Sequence, residues 1–243
     1  MLLSHKPSEP HFFRYLCALK FIILSFIIHY CSMNAWKSLQ NKPTYALYFS
    51  ISLVFFISSL MLTIQYVPLF ETREGFVPYD PFMTYLPSVD VSFYVFFILY
   101  GAIIFSAFYV LQDPKLLMIF FLSFGIMYYI RALCITVVPF NEPDLLIPLS
   151  DPLIERLGIY QKFIKRDLFF SGHLASVFIP WLILQKTKYQ LVLLIGSITI
   201  GILVMLQHIH YSYDVIGAVI FSYISVVAAT KLSERLVFNR QSD

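Results

Sequence analysis

The stretch VSFYVFFILYGAIIFSAFYVLQ, residues 91–112, carries no charged side chain and is long enough for one helix to cross a bilayer, which takes about 20 residues. Six further runs are similarly long and apolar. The seven runs are Leu16–Trp36, Thr44–Tyr66, Val91–Gln112, Leu116–Val138, Leu168–Leu184, Leu191–Gln207 and Tyr213–Thr230. Because they lack the alternation of apolar and polar residues typical of barrel strands, they predict membrane-spanning helices.

The composition is also typical of a membrane protein. Of the 243 residues 59% are hydrophobic and 13% are charged, and the mean hydropathy is +0.76. A water-soluble domain of this length does not bury that much apolar surface. The net charge of +3 comes without a Lys/Arg run of the kind that binds nucleic acid. We therefore expect an all-α fold, a polytopic transmembrane helical bundle whose partner is the lipid bilayer.

The positions of the runs divide the chain into three regions. Residues 1–43 hold a tail and the first run, residues 44–232 form a membrane-embedded bundle of six core spans, and residues 233–243 are a polar C-terminal tail. The first run contains Lys20 and His29, so it is an additional span, an interfacial helix or an uncleaved anchor. No small-residue cleavage site follows its apolar stretch, which argues against removal as a signal peptide.

Two long proline-rich loops, Val67–Asp90 and Pro139–Asp167, are separated by two predicted spans and are therefore expected on the same membrane side. The segment Phe170–His173 directly follows the second loop. The segment His208–Val215 comes two spans later, so it returns to that side. The two polar segments are expected to meet at one face of the bundle.

Positive charge predicts the orientation, because short loops rich in Lys and Arg favour the cytoplasmic side. On the side opposite to the two polar segments, the short loops and the tail carry Lys37, Lys42, Lys115, Lys186, Lys188, Lys231, Arg235 and Arg240. We therefore expect the polar segments on the exoplasmic face, luminal or periplasmic. That face has basic residues of its own, which a phosphate site needs.

His210 and Asp214 are candidates for catalysis because ionisable side chains at a membrane are costly. On a helix, residues four apart share a face, so Asp214 is expected to hold one tautomer of His210 and to stabilise its charged form. The alternative is a structural ion pair between helices. His208 is two residues from His210, so it is expected to face elsewhere and to have a supporting role.

Ser171, Gly172 and His173 are expected at the start of a helix, where free N–H groups attract phosphate. Ser171 would add a hydroxyl donor, and Gly172 would allow close approach of a ligand. The alternative is an ordinary N-cap with a histidine at the interface. Asp167 is interpreted first as the cap of this helix and second as a hydrogen-bond acceptor for a histidine or a substrate hydroxyl.

Two histidines at one face can act on a phosphoester, one attacking phosphorus while the other protonates the leaving oxygen. Arg131, Lys165 and Arg166 are expected to neutralise the phosphate oxygens, although Arg131 has the alternative role of a snorkelling side chain at the interface. The sequence shows no zinc-ligand spacing, and we expect neither a metal nor another cofactor. The three cysteines are expected to be buried thiols: Cys17, Cys31 and Cys134.

These motifs resemble those of the type 2 phosphatidic acid phosphatase superfamily, whose members pair a Ser-Gly-His segment with a later His-x-x-x-Asp segment. The matching residues are Ser171-Gly172-His173 and His210-Tyr211-Ser212-Tyr213-Asp214. Within the superfamily the chain is most similar to the sphingomyelin synthase branch. Phe170 precedes Ser-Gly-His, Asp167 matches an Asp of that branch, and His208–Val215 resembles its His-x-His-Tyr-Thr-x-Asp-Val.

The chain departs from both patterns. The phosphatase signature Lys-x6-Arg-Pro is absent, and Leu203-Val204 stand where phosphatases have Ser-Arg before the second histidine. Lys165-Arg166 replace the Cys-Gly of the sphingomyelin synthase branch. The missing phosphatase signature favours a transferase over a phosphatase, and the head group and the acceptor stay open.

The resemblance implies a six-span core and a metal-independent, two-step reaction. His210 would be the nucleophile and form a phosphohistidine-type intermediate, Asp214 would orient it, and His173 would act first as acid and then as base. The expected substrates are a phospholipid and a lipid hydroxyl such as that of ceramide. The alternatives are a lipid phosphate phosphatase that uses water and, third, a non-enzymatic lipid-binding or transport protein.

Overall fold

The computed structural model describes residues 43–66, 69–70, 73–151, 165–185, 187 and 189–238. In this part of the chain there are six helices, α1 (Pro43–Tyr66), α2 (Ser92–Val110), α3 (Pro114–Val137), α4 (Gly172–Ile183), α5 (Gln190–Leu206) and α6 (Ser212–Phe238). The expected all-helical fold is therefore observed for these residues. The first predicted span, with Cys17 and Cys31, lies outside them, while Cys134 is a partly buried free thiol on α3.

Four helices, α1, α2, α3 and α6, are long and apolar enough to cross a membrane. The other two are not of membrane length: α4 is shorter than its predicted run, whereas α5 has the same length as its predicted run. Helix α4 has 12 residues and α5 has 17, which correspond to lengths of about 18 and 25 Å. The predicted run Leu168–Leu184 yields only α4 because its first four residues are not helical and Ser171 caps the helix in an extended conformation. A helical membrane protein is supported, with four membrane-length helices in the described residues.

The short helix α4 lies at the centre of the bundle, where it packs against α2, α3, α5 and α6. Its side chains Leu174, Ala175, Val177 and Ile179 are almost wholly buried in the main hydrophobic core. Helix α1 packs against α3. Because α4 is surrounded by other helices, the polar residues at its first turn are held inside the bundle and not at its lipid-facing surface.

The two proline-rich loops contact each other across the end of the bundle. The N–H of Phe76 donates to the carbonyl of Pro139 at 2.9 Å, and the N–H of Asn141 donates to the carbonyl of Phe76 at 2.9 Å. This short parallel bridge confirms that the two loops lie on the same side. Gly75 fits here because it has no Cβ, which would lie 2.3 Å from the carbonyl oxygen of Pro139.

Helix α6 continues to Phe238, six residues beyond the expected end of the bundle at residue 232. Ser233 is fully buried in the fold, and the basic side chain of Arg235 lies in the last turn. A positive charge near a helix C-terminus interacts favourably with the helix dipole, which helps the polar residues to remain helical.

Replacing Gly75 by alanine should destabilise the loop contact, because the new Cβ meets backbone that has to shift. Such overpacking costs about 1–3 kcal/mol of unfolding free energy. The matched control is Gly101→Ala on α2, where a Cβ meets no atom within 4 Å. Thermal unfolding in detergent should show a lower midpoint for Gly75→Ala and an unchanged or higher one for Gly101→Ala. Equal midpoints for the two variants would contradict the loop geometry.

Candidate active site

His210 and Asp214 form the expected pair, but not on one face of a helix. Helix α6 begins at Ser212, and His210 lies in the turn before it. The Nδ1 atom of His210 is 3.1 Å from Oδ2 of Asp214, and both side chains are buried. The contact was predicted correctly, and the helical i, i+4 reason for it was wrong.

Helix capping explains why the pair forms. Asp214 is the third residue of α6, and its Oδ2 accepts the backbone N–H of Tyr211 at 3.0 Å. This is one half of a capping box, in which an acidic side chain reaches back to the residue before the helix. The carboxylate of Asp80, from the first proline-rich loop, accepts the N–H of Ser212 at 2.6 Å. Two carboxylates thus satisfy the start of α6.

The start of α4 is capped by Ser171, whose hydroxyl accepts the N–H of Leu174 at 3.4 Å. The first interpretation of Asp167 as this cap was therefore wrong. The backbone N–H of Ser171 donates to the carbonyl of Asp214 at 3.1 Å, which joins the two polar segments directly. Among the described residues, neither the N–H of Gly172 nor that of His173 donates a hydrogen bond. These N–H groups can therefore donate to an anion, and the dipole of α4 favours a negative charge at this end of the helix.

Asp167 instead pairs with Arg131, whose Nη2 lies 2.8 Å from its Oδ1. The Nε of Arg131 donates to the carbonyl of Phe170 at 2.8 Å, and the residue is only 5% exposed. The snorkelling alternative for Arg131 is therefore wrong. A Cβ on Gly172 would lie 3.2 Å from the guanidinium carbon, so the glycine makes room for Arg131. Whether it also admits a ligand, as the sequence suggests, stays a prediction.

The rings of His173 and His210 are arranged edge to face, with centroids 6.1 Å apart and planes inclined by 61°. Nδ1 of His173 is buried, and no hydrogen-bond partner for it is found in the described part of the chain. The ring of Phe96 also lies beside His173, with the ring centroids 6.1 Å apart. Nδ1 of His210 is engaged by Asp214, which leaves its Nε2 for chemistry. Two imidazoles at this separation can act on one small group between them.

Lys165 and Arg166 are not part of this cluster. They line an open cavity of about 430 Å³ between the two proline-rich loops, together with Asn141, Glu142 and Asp144. Arg166 donates to Glu142 at 3.3 Å and to the carbonyl of Arg73. A hydrogen bond from its own backbone, together with Arg166, holds the pKa of Glu142 below its ordinary value. The structure thus brings Arg131 to the histidines and directs Arg166 elsewhere.

Gln207 is a supporting residue that the sequence did not reveal. Its side chain is fully buried, and its Oε1 accepts the N–H of Val91 at 3.2 Å. Its Nε2 donates to Ser92 Oγ at 2.7 Å and to the Pro148 carbonyl at 3.2 Å. One amide therefore links α2, the second loop and the end of α5, directly before the His208–Val215 segment. The only sequence signal was a polar residue closing an apolar run.

His208 adopts a left-handed backbone conformation, with φ of 56°, which is uncommon for a residue other than glycine. Its Nε2 lies 3.2 Å from the carbonyl of Leu86 in the first loop. This contact agrees with the supporting role expected for His208, and the turn it makes aims His210 into the bundle.

Asp151 is another buried residue near the candidate site that the sequence analysis did not predict. Asp151 is 4% exposed and accepts a hydrogen bond from the hydroxyl of Tyr100 at 2.5 Å. Asp151, Asp167 and Arg131 are charged side chains in the neighbourhood of His173. Asp151 lies in the second proline-rich loop, where no sequence pattern predicts such a contact.

Comparisons with protein-family models, with curated proteins and with solved structures found no match to this chain. The residues and their geometry therefore carry the functional argument.

Replacing Gln207 by leucine should leave the buried groups that its amide binds without hydrogen-bond partners. The loss of unfolding free energy should be about 1–3 kcal/mol for each such group. The control is Gln112→Leu, since the side chain of Gln112 makes one hydrogen bond, to the carbonyl of Phe108, at the opposite end of α2. Chemical denaturation in detergent should show a clear loss of stability for Gln207→Leu and less than about 1 kcal/mol for Gln112→Leu. Equal losses would mean that Gln207 does not link α2, the second loop and the end of α5.

Proposed function

We propose that this chain is an integral membrane lipid phosphotransferase of the sphingomyelin synthase type, using His173, His210 and Asp214. The observation that carries the proposal is the paired geometry of the histidines. Their rings are 6.1 Å apart, and a buried carboxylate is held against one of them. A structural ion pair would need Asp214 and His210 but would give no reason for a second imidazole whose buried Nδ1 has no hydrogen-bond partner among the residues that the structure describes.

In the first step Nε2 of His210 attacks the phosphorus of a phospholipid. Its Nδ1–H donates to Asp214, which keeps the lone pair on Nε2 and stabilises the positive charge that develops. The N–P bond forms as the bond from phosphorus to the lipid oxygen breaks. His173 gives its proton to that oxygen, so the lipid leaves as an alcohol and the phospho-head-group stays on His210.

In the second step the hydroxyl of another lipid gives its proton to His173, and its oxygen attacks phosphorus. The N–P bond breaks, and both histidines return to their starting states. A hydroxyl such as that of ceramide makes the reaction a transfer. Water in the same place makes it a hydrolysis, so the histidines alone do not distinguish the two reactions.

The phosphate oxygens are expected to lie at the first turn of α4, against Arg131 and the N–H groups of Gly172 and His173. The charge at this place supports a transferase over a phosphatase. A phosphomonoester carries about 1.5 to 2 negative charges at neutral pH, whereas a phosphodiester carries one. The guanidinium of Arg131 already shares its charge with Asp167. A single net negative charge on the substrate fits this balance better, as does the absence of the phosphatase signature.

The membrane arrangement belongs to the same proposal. We infer a core of six spans, in which α4 and α5 complete the four membrane-length helices as a short hairpin. The face that holds the histidines is exoplasmic, because the basic short loops lie at the other end. Lys165 and Arg166, in their cavity between the loops, would meet polar parts of a substrate outside the phosphate site.

Replacing His210 by glutamine should abolish turnover, because the nucleophile is lost. A loss of at least about 100-fold is expected for a residue of this role. Brief incubation of unchanged protein with labelled phospholipid, followed by alkaline quenching, should leave label on His210 in mass spectra. The control is His208→Asn, since asparagine tolerates the left-handed conformation and should keep most of the activity. Turnover that survives in purified His210→Gln would exclude His210 as the nucleophile.

Transfer and hydrolysis are separated by the acceptor. The protein in vesicles should be given phospholipids labelled in the head group, with and without ceramide or diacylglycerol, in the presence of a chelator. We expect the label to move to the acceptor lipid. Label or phosphate released only into water would instead make the protein a phosphatase or phospholipase, and absence of any product would favour a lipid-binding or transport protein.

A further inference from the structure

The first proline-rich loop exposes aromatic side chains at the end of the bundle that holds the histidines. Residues 76–85, here called the aromatic loop, include Tyr79, Phe82 and Tyr85, which are 79%, 63% and 88% exposed. The loop contains no Lys, Arg or Glu, and its one acidic residue, Asp80, is turned inward to bind the N–H of Ser212. An exposed loop with this composition is costly in water.

The aromatic loop continues a lipid-facing stripe on α6. Tyr213, Ile216, Ile220 and Tyr223 follow one another along one side of that helix and are all exposed. The hydroxyl of Tyr213 donates to the backbone carbonyl of Tyr79 at 3.0 Å. The loop is thereby fixed at the point where the apolar stripe reaches the end of the helix. At that level of a membrane protein, aromatic side chains are favoured at the boundary of the acyl chains and the head groups.

The inner side of the same loop borders a cavity of about 520 Å³. Asp80 and Met83 line it from the loop, and His208 and Tyr211 line it from the segment that carries His210. Phe82 and Tyr85 are not among its lining residues, whereas Tyr79 is. One side of the loop therefore faces outward with aromatic groups, while the other covers a cavity that reaches the neighbours of His210.

We propose that the aromatic loop is seated in the head-group region of the bilayer that the protein spans, and that it forms the entrance by which a lipid head group reaches the cavity beside His210. Phe82 and Tyr85 contact the lipid, and Asp80 holds the loop to α6. The seating of the loop depends only on its exposed surface, whereas the entrance rests on the proposed function.

The depth of the loop is measured with single tryptophans in the full chain, reconstituted in phosphatidylcholine vesicles. Trp36 and Trp181 are replaced by phenylalanine, and one tryptophan is placed by Phe82→Trp or Tyr85→Trp. The matched control is Glu74→Trp, an exposed charged position just before the loop. We expect lipids brominated near the glycerol to quench the tryptophans at 82 and 85, and iodide in the water to quench the one at 74.

Two results overturn the seating of the loop. Quenching of the 82 and 85 tryptophans by iodide, to the same extent as at 74, would place the loop in water. Protection from both iodide and brominated lipid would mean that a protein surface, of this chain or a second copy, covers it. Neither result depends on enzyme activity, so a failure here is distinct from a failure of the proposed function.

The entrance is tested by combining Phe82→Ser with Tyr85→Ser. With lipid substrate in vesicles, we expect KM to rise several-fold while kcat stays the same, because the chemistry at His210 is not touched. With a short-chain substrate dissolved in water, KM should not change. An unchanged KM in vesicles, or a fall in kcat with both substrates, would exclude the entrance role.

Discussion

The carboxylate and carbonyl of Asp214 hold the candidate site together. Its Oδ2 caps the start of α6 through Tyr211 and orients His210, and its backbone carbonyl accepts the N–H of Ser171. One residue thus contacts a helix start, the ring of His210 and the other polar segment. Each of these hydrogen bonds is buried, and a buried polar group that lacks a hydrogen bond destabilises the fold more than an exposed one does. The pairing of His173 with His210 depends on this residue.

The sequence predicted those parts of the fold that depend on counting and on local pattern. Two spans between the proline-rich loops were enough to put both loops on one side, and the bridge between Phe76 and Phe140 agrees. The same reasoning brought the two polar segments to one face. The pairing of His210 with Asp214 was also predicted, although capping and not helical periodicity explains it.

Other parts of the site were beyond sequence reasoning because they depend on contacts between distant residues. Gln207 reaches Val91 across 116 positions, and Asp80 reaches Ser212 across 132. Neither residue has a partner at a characteristic spacing. The shortness of α4 was missed for a different reason. Its apolar run has the length of a span, but Ser171 starts the helix late, and hydropathy does not register a cap.

The contact of Asp80 with Ser212 also has a consequence for the order of assembly in the cell. Helices of a membrane protein enter the bilayer as synthesis proceeds from the N-terminus, and contacts between distant residues form late. The hydrogen bond between Asp80 and Ser212 therefore forms only after the 132 positions that separate them have been synthesised. Asp214, which binds His210 and accepts the N–H of Ser171, belongs to the first turn of α6, so the two histidines are fixed in place only after α6 has begun to form. A partly synthesised chain that stops before α6 therefore has its other helices but not the hydrogen bonds that fix the candidate site.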